Sequence, residues 1–280
     1  MFPDKTFMDN PQFTIVTPSF NYAKYIRECL DSVHNQKGVT FEHLVFDAGS
    51  TDGTLDILRD YPGIDLTVEP DKGMSDAINK GFRRARGEWV MWLNTDDRLL
   101  PDALKAVADF AADHPDADVI HGAFHYIDAD GHFLRRATTA PYVYRVIVQY
   151  GCYLASTAMF FRRSTVMEQG FFLNDKFHYV MDGEFYARLG KAGKRFVPFN
   201  KPLAEFRLHD ESLSRKGRQQ ASVDECLLAC RRYAESMAIK RAYGWTFTHN
   251  LKWSIVWDSL LNSIFWPIKC ALQAFSRWER

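Results

Sequence analysis

Between residues 13 and 93 four apolar runs alternate with three helix-like segments, and no other feature of the chain limits its fold as much. Phe13 to Thr17, Phe41 to Phe46, Ile64 to Val68 and Trp89 to Leu93 read as strands. Tyr22, Tyr25, Ile26, Cys29, Leu30 and Val33 recur at i, i+3, i+4, i+7, i+8 and i+11, the spacing of an amphipathic helix with Asn21 as its expected N-cap. A second helix is expected at about residues 54 to 60, and Met74, Ala77, Ile78, Gly81, Phe82 and Ala85 repeat the helical spacing. A β-α-β-α-β-α-β order predicts an α/β fold, a mostly parallel sheet with helices on both faces. Trp89 to Leu93 is apolar without a break, as befits a strand buried on both sides.

The polar segments all fall at strand ends. Pro18 to Asn21, Asp47 to Thr54 and Asn94 to Asp97 should therefore gather along one edge of the sheet, where open α/β folds bind ligands. Asp96 and Asp97 stand side by side there. Two like charges at one strand end call for a cation with hard oxygen preference, Mg²⁺ or Mn²⁺. Capping of the helix that Pro101-Asp102 opens is the other reading of the pair. Asp47 is a lone carboxylate suited to a base or ribose, whereas Ser50 to Gly53 reads as N-cap and turn chemistry. Neither a Gly-x-Gly-x-x-Gly nor a Gly-x-x-x-x-Gly-Lys-Ser/Thr segment follows any strand, which disfavours dinucleotide-binding and P-loop domains.

The chain has 35 Lys/Arg and 35 Asp/Glu, so nothing in its overall charge points to nucleic acid. The balance is uneven: from Arg215 onward 11 Lys/Arg face 5 Asp/Glu. Five cysteines without a Cys-x-x-Cys suit free thiols in a reducing compartment. The first residues lack a signal-peptide layout, and no apolar run reaches the ~18 residues of a spanning helix, so a cytoplasmic location is expected.

Four segments in order, Thr17-Pro18-Ser19-Phe20-Asn21, Asp47 to Thr54, Glu69-Pro70-Asp71-Lys72-Gly73 running into Asp76 to Gly81, and Leu93-Asn94-Thr95-Asp96-Asp97, resemble the family 2 glycosyltransferases of the GT-A fold. The similarity covers about residues 12 to 212. It implies a Rossmann-like catalytic domain over 13–212, a nucleotide-diphosphate-sugar donor (a UDP-sugar by family habit), a divalent metal, and transfer to an acceptor hydroxyl with inversion. Carried onto this chain, the resemblance gives Pro18, Phe20 and Asp47 to the base and ribose. Asp71 and Asp76 fall to the segment closing over the nucleotide, Asp96 to the ribose and Asp97 to the metal. Ala48 replaces the family's second acid in the Asp47 loop. Met181-Asp182-Gly183-Glu184 resembles the element that carries the family's catalytic base, with Met181 in place of the preceding acid; the resemblance implies Asp182 as the base and Glu184 as a diphosphate or acceptor contact, while helix N-capping is the other reading of Asp182. The Phe206-Arg207-Leu208-His209 segment implies His209 as metal ligand or diphosphate contact and Arg207 as diphosphate partner.

Further elements are expected at Leu104 to Ala111 (helix), Val119 to His121 (strand), 124–136 (hairpin), Ser156 to Arg163 (a strand leading into a helix before Gly170) and Arg195 to Phe199 (strand). The aromatic segment 138–152 fits either plain packing or an acceptor wall.

Residues 1–12 read as a lead-in and 213–280 as a helical C-terminal region. Its last part carries an apolar stripe, Trp253, Val256, Trp257, Leu260, Leu261, Ile264, Phe265, Ile268, Leu272 and Phe275, interrupted by Pro267. With basic flanks, such a stripe over 250–278 suits a membrane surface or a contact with a second copy of the chain. A sugar or lipid-linked sugar is then the natural acceptor, in the synthesis of a surface polysaccharide or glycolipid. Two other readings remain at this point: a sugar-nucleotidyltransferase, which should show a Gly-rich basic loop after the first strand, and a degenerate transferase acting as a membrane-associated scaffold.

Overall fold

The computed structural model describes residues 10–210 and 234–243. The 1–9 lead-in, Arg231-Arg232 and the apolar stripe of 253–275 lie outside the described residues.

Nine strands form one mixed sheet in the order β3-β2-β1-β4-β8-β6-β9-β5, with β7 on β6. The first four, β1 (Phe13–Ser19), β2 (Phe41–Asp47), β3 (Asp65–Val68) and β4 (Trp89–Trp92), pair in parallel. Helices α1 (Ile26–His34), α2 (Thr54–Asp60) and α3 (Met74–Arg84) make the crossovers. The chain steps outward from β1 to β3, then returns to the other side of β1 for β4. That reversal falls between β1 and β4, and the carboxyl ends of strands at such a reversal are the usual ligand position in open α/β sheets.

β1 shows why the sheet is covered on both sides. Phe13 and Ile15 enter one core with Cys29 and Val33 of α1, together with Leu104 and Val107 of α4 (Ala103–Asp113). Val16 enters the other core, with Ala77, Ile78 and Phe82 of α3. Alternation along a strand sends neighbours to opposite faces, so two apolar layers require two helical layers. Gly81 brings α3 close to β1: a Cβ there would stand 2.3 Å from a Val16 methyl carbon.

Beyond β4 come β5 (Arg98–Leu99), β6 (Val119–Ile127), β7 (Phe133–Ala137), α5 (Tyr144–Tyr150), β8 (Met159–Arg162), α6 (Met181–Lys191) and β9 (Phe196–Arg207). β8 runs antiparallel between β4 and β6, while β6 and β9 are parallel. Residues 234–243 form a further helix, α7.

Three local expectations change. Asn21 does not cap α1, which begins at Ile26: its backbone is left-handed (φ 56°) and its side-chain oxygen accepts the Thr51 amide instead. The helix expected before Gly170 is a series of turns, because β8 ends at Arg162 and the chain folds back at once. The strand expected at 195–199 extends to Arg207, since β6 offers it a partner along its whole length.

Candidate active site

The loops after β1 and β2 are stitched together where the two strands end, with Ser19 opposite Asp47. The Asn21 amide donates to Ser50 Oγ at 2.8 Å, and Asp52 accepts the Ala23 amide at 3.0 Å. Asp47 is buried, and its carboxylate accepts the Gly49 and Ser50 amides and the Ser50 hydroxyl. The structure thus shows Asp47 shaping its own loop. Phe20 projects from this rim with 55% of its surface exposed, while Pro18 is buried behind it. The Pro18 carbonyl accepts the Thr95 hydroxyl at 2.8 Å, which fixes the tip of β4 against the tip of β1.

The adjacent carboxylates of this tip have opposite fates. Asp97 is turned inward and is 2% exposed, accepting the Thr157 hydroxyl at 2.5 Å and the Arg207 amide at 3.0 Å. Burial, then the charge of Asp96, pushes its pKa well above the usual carboxylate range, against the lowering effect of those two hydrogen bonds. Asp96 faces His209 instead, Oδ2 to Nε2 at 2.9 Å. The His209 ring is held against Tyr25, centroids 4.9 Å apart, and edge-on to Tyr22. Asn94 Oδ1 and Ser19 Oγ, at the ends of the same two strands, are buried without a hydrogen-bond partner.

Asp97, expected as the metal ligand, is buried with a hydrogen bond on each oxygen, whereas Asp96 Oδ2 meets an imidazole. The Asp96 carboxylate and the His209 imidazole, 2.9 Å apart, are an oxygen and a nitrogen donor of the kind that fits a transition metal such as Mn²⁺, and these two residues would hold it. Among the described residues, three donor atoms come into mutual reach at Asp128, Asp130 and His132 of the β6–β7 hairpin. There Asp128 Oδ1 accepts the Asp130 and His132 amides, which is turn chemistry.

Arg207 is also reassigned. It is 1% exposed, donates to the Asp96 and Ala129 carbonyls and to Glu28, and lies over the Tyr25 ring. It braces the backbone of the pair and faces no open space. Asp71 and Asp76 hold the turn before α3, accepting the Gly73 and Lys72 amides, and Asp76 also pairs with Lys80.

Asp182 lies in the first turn of α6, partly exposed, with Oδ1 on the Gly183 amide at 2.7 Å. One turn further, Phe185 packs against Trp92 of β4 at 6.4 Å between ring centroids. That contact seats the N-terminal part of α6 beside the strand that leads into Asn94 to Asp97. Ser75 Oγ donates to Met181 Sδ, tying α3 to the same turn, and Asn79 exchanges two hydrogen bonds with the Leu173 backbone in the loop before α6. Glu184 is removed from the acceptor side: it is fully buried, clamped by Arg188 and by the Tyr243 hydroxyl. Thr157, Glu28 and Asn94 went unassigned at the level of sequence. Asn94 had a signal, being part of the Leu93 to Asp97 segment, whereas Thr157 and Glu28 are recognisable only by whom they meet.

The chain belongs to glycosyl transferase family 2, whose model matches residues 14–176. It is 38% identical over 121 residues to a PGL/p-HBAD biosynthesis glycosyltransferase of Mycobacterium bovis, a match covering 41% of this chain and 47% of that one. Chondroitin synthase of Escherichia coli is 29% identical over 210 residues, 74% of this chain and 30% of the other. The matches thus span about half the length, or less, of these curated relatives. S. aureus TarS 1-349, solved with UDP-GlcNAc, superposes with a TM-score of 0.60 at 21% identity, covering 86% of this chain and 77% of that one. The mannosyltransferase PcManGT of Pyrobaculum calidifontis, solved with GDP-Man and Mn²⁺, gives 0.55 at 18% identity over 95% and 85%. The fold is therefore that of the GT-A transferases.

Proposed function

We propose that this protein transfers a sugar from a nucleotide-diphosphate donor to a hydroxyl of a saccharide or glycolipid acceptor, with inversion at the anomeric carbon. The observation that carries the reading is the Asp96–His209 pair at the carboxyl ends of β1 and β4, beside the unsatisfied Asn94 and Ser19. Phe20 offers an exposed aromatic face to the base.

Asp182 is the general base. It takes the proton of the acceptor hydroxyl as that oxygen attacks the anomeric carbon from the side opposite the diphosphate. The carbon–oxygen bond to the diphosphate breaks in the same displacement. A divalent cation bound at Asp96 and His209 would neutralise the departing diphosphate. Relatives named for PGL/p-HBAD and chondroitin synthesis support a glycolipid or polysaccharide product. TarS and PcManGT support a UDP- or GDP-sugar donor, and PcManGT supports Mn²⁺. The apolar stripe of 253–275, flanked by Lys252 and Arg277, supports residence at a membrane surface. No helix among the described residues is long and apolar enough to cross a membrane.

A thermal-shift screen of UDP, GDP, ADP and CDP with and without Mn²⁺ tests the donor. One nucleotide should raise the melting temperature by mass action, and only with metal. Silence with all four would overturn the proposal. Flotation with anionic liposomes, with and without residues 245–280, tests the membrane contact: equal recovery of both forms removes it.

A further inference from the structure

The turn that presents Asp182 is held by one carboxylate from far along the chain. Glu235, in α7, accepts the backbone amides of His178 at 3.1 Å, Tyr179 at 2.9 Å and Val180 at 3.2 Å. These are the three residues before α6 begins at Met181. Val180, the N-cap residue of α6, makes no side-chain capping bond, and within the first turn Asp182 Oδ1 accepts the Gly183 amide. A helix start leaves amides without intrahelical partners, and here a remote acid gathers the amides of the turn leading into it.

α7 is locked to α6 at its other end as well. The Tyr243 hydroxyl donates to Glu184 at 2.6 Å, and Tyr144 of α5 donates to the Tyr243 carbonyl at 2.7 Å. Ile239, between these two anchors, is buried in the core that also holds Met181, Phe185 and Leu189. Glu235 thus acts from a firmly seated helix.

The gathered turn also meets the donor side. A Cβ at Gly73 would stand 3.5 Å from His178 Nδ1, so the turn abuts the Asp71–Gly73 segment. Ser75 Oγ lies 3.4 Å from the Phe177 carbonyl. One carboxylate therefore fixes the junction between the segment expected to cover the nucleotide and the helix bearing the base.

We infer that Glu235 is a positioning residue for the transfer reaction: it sets the start of α6, and with it the placement of the Asp182 carboxylate against the incoming hydroxyl. A base displaced by an ångström loses much of its effect, because proton transfer needs hydrogen-bond reach. The inference rests on the transferase reading.

The test uses the full chain and Glu235→Gln, which keeps the size of the side chain but puts an NH₂ group where amides point. Hydrolysis of UDP-glucose, UDP-GlcNAc and GDP-mannose with Mn²⁺ is measured, water standing in for the acceptor. The expected result is a 10- to 100-fold lower kcat, a UDP Kd within twofold of the parent, and faster amide hydrogen exchange confined to residues 178–184. Glu235→Asp, which keeps the acceptor oxygens, should recover part of the rate. An unchanged kcat despite faster exchange overturns the inference. So does a joint loss of UDP affinity, kcat and melting temperature, which marks a purely structural contact. A parent protein that neither binds UDP or GDP nor hydrolyses any donor overturns the transferase reading, and the positioning role with it. The exchange pattern would still show whether Glu235 holds the turn, so the two failures are distinct.

Discussion

His209 Nε2 sits 2.9 Å from Asp96 Oδ2, joining two residues 113 positions apart at the carboxyl ends of β1 and β4. Asp96 is the more exposed member of the acidic pair, its side chain 15% exposed where Asp97 is buried. Asp96→Ala is expected to abolish metal-dependent nucleotide binding, and His209→Ala to weaken it about 10- to 100-fold, as loss of a ligand or its partner commonly does. Calorimetric titration of UDP and GDP with Mn²⁺, repeated in EDTA, checks both. In EDTA the parent should resemble Asp96→Ala.

Asp97→Asn should behave differently. The substitution places an NH₂ group against the Thr157 hydroxyl or the Arg207 amide, both of which donate to Asp97. A stability loss of about 1–3 kcal/mol is expected from the spoiled buried hydrogen bonds. Urea denaturation reads it directly. Nucleotide affinity measured well below the melting temperature should change far less than in Asp96→Ala.

Arg207→Ala removes a buried guanidinium that donates to Glu28 and to two carbonyls. Because Glu28 remains partly exposed and can turn to water, the expected loss is about 2–4 kcal/mol, at or below that of a fully buried pair. A lower urea midpoint measures it.

Asp182→Asn and Phe20→Ala should separate chemistry from binding. The first is expected to lower kcat by about 10²- to 10⁴-fold with nucleotide affinity intact. The second should weaken nucleotide binding by about 1–3 kcal/mol, the usual worth of base–aromatic stacking, at nearly constant kcat. Steady-state kinetics against varied donor distinguishes the two patterns.

Two buried histidines set an acid limit on stability. Burial pushes the His121 ring down to about 4, and burial followed by the nearby His34 pushes His43 down to about 3. Both lie below the ordinary value near 6.5, so on acidification the unfolded chain takes up protons before the folded one does. The contribution of these two rings is then complete above about pH 6.5 and falls as the pH drops toward 4, by on the order of 3 kcal/mol per ring. Thermal melts from pH 7.5 to 4.5 should show the decline. His121→Asn should flatten it.

Periodicity alone determined the first half of this fold. α2 runs from Thr54 to Asp60, where a helix was expected, and β1, β2, α3 and β4 begin on the expected residues. A strand buried on both faces and a helix with one apolar stripe are each dictated by neighbours within a few residues, so such elements can be read locally. The gathering of the polar tips at one rim follows from the β-α-β order for the same reason. Which carboxylate of the Asp96-Asp97 pair is the more exposed was a different kind of question. Consecutive residues on a tight turn point to different sides, and the groups that claimed Asp97, Thr157 and Arg207, lie 60 and 110 residues away. Glu184 likewise read as an acceptor contact, whereas in the fold Tyr243 and Arg188 enclose it, and nothing adjacent to Glu235 announces that it accepts the amides before α6. Local spacing fixes where a side chain begins. Only the folded chain decides what it touches, because those partners are brought together by packing across the whole sheet.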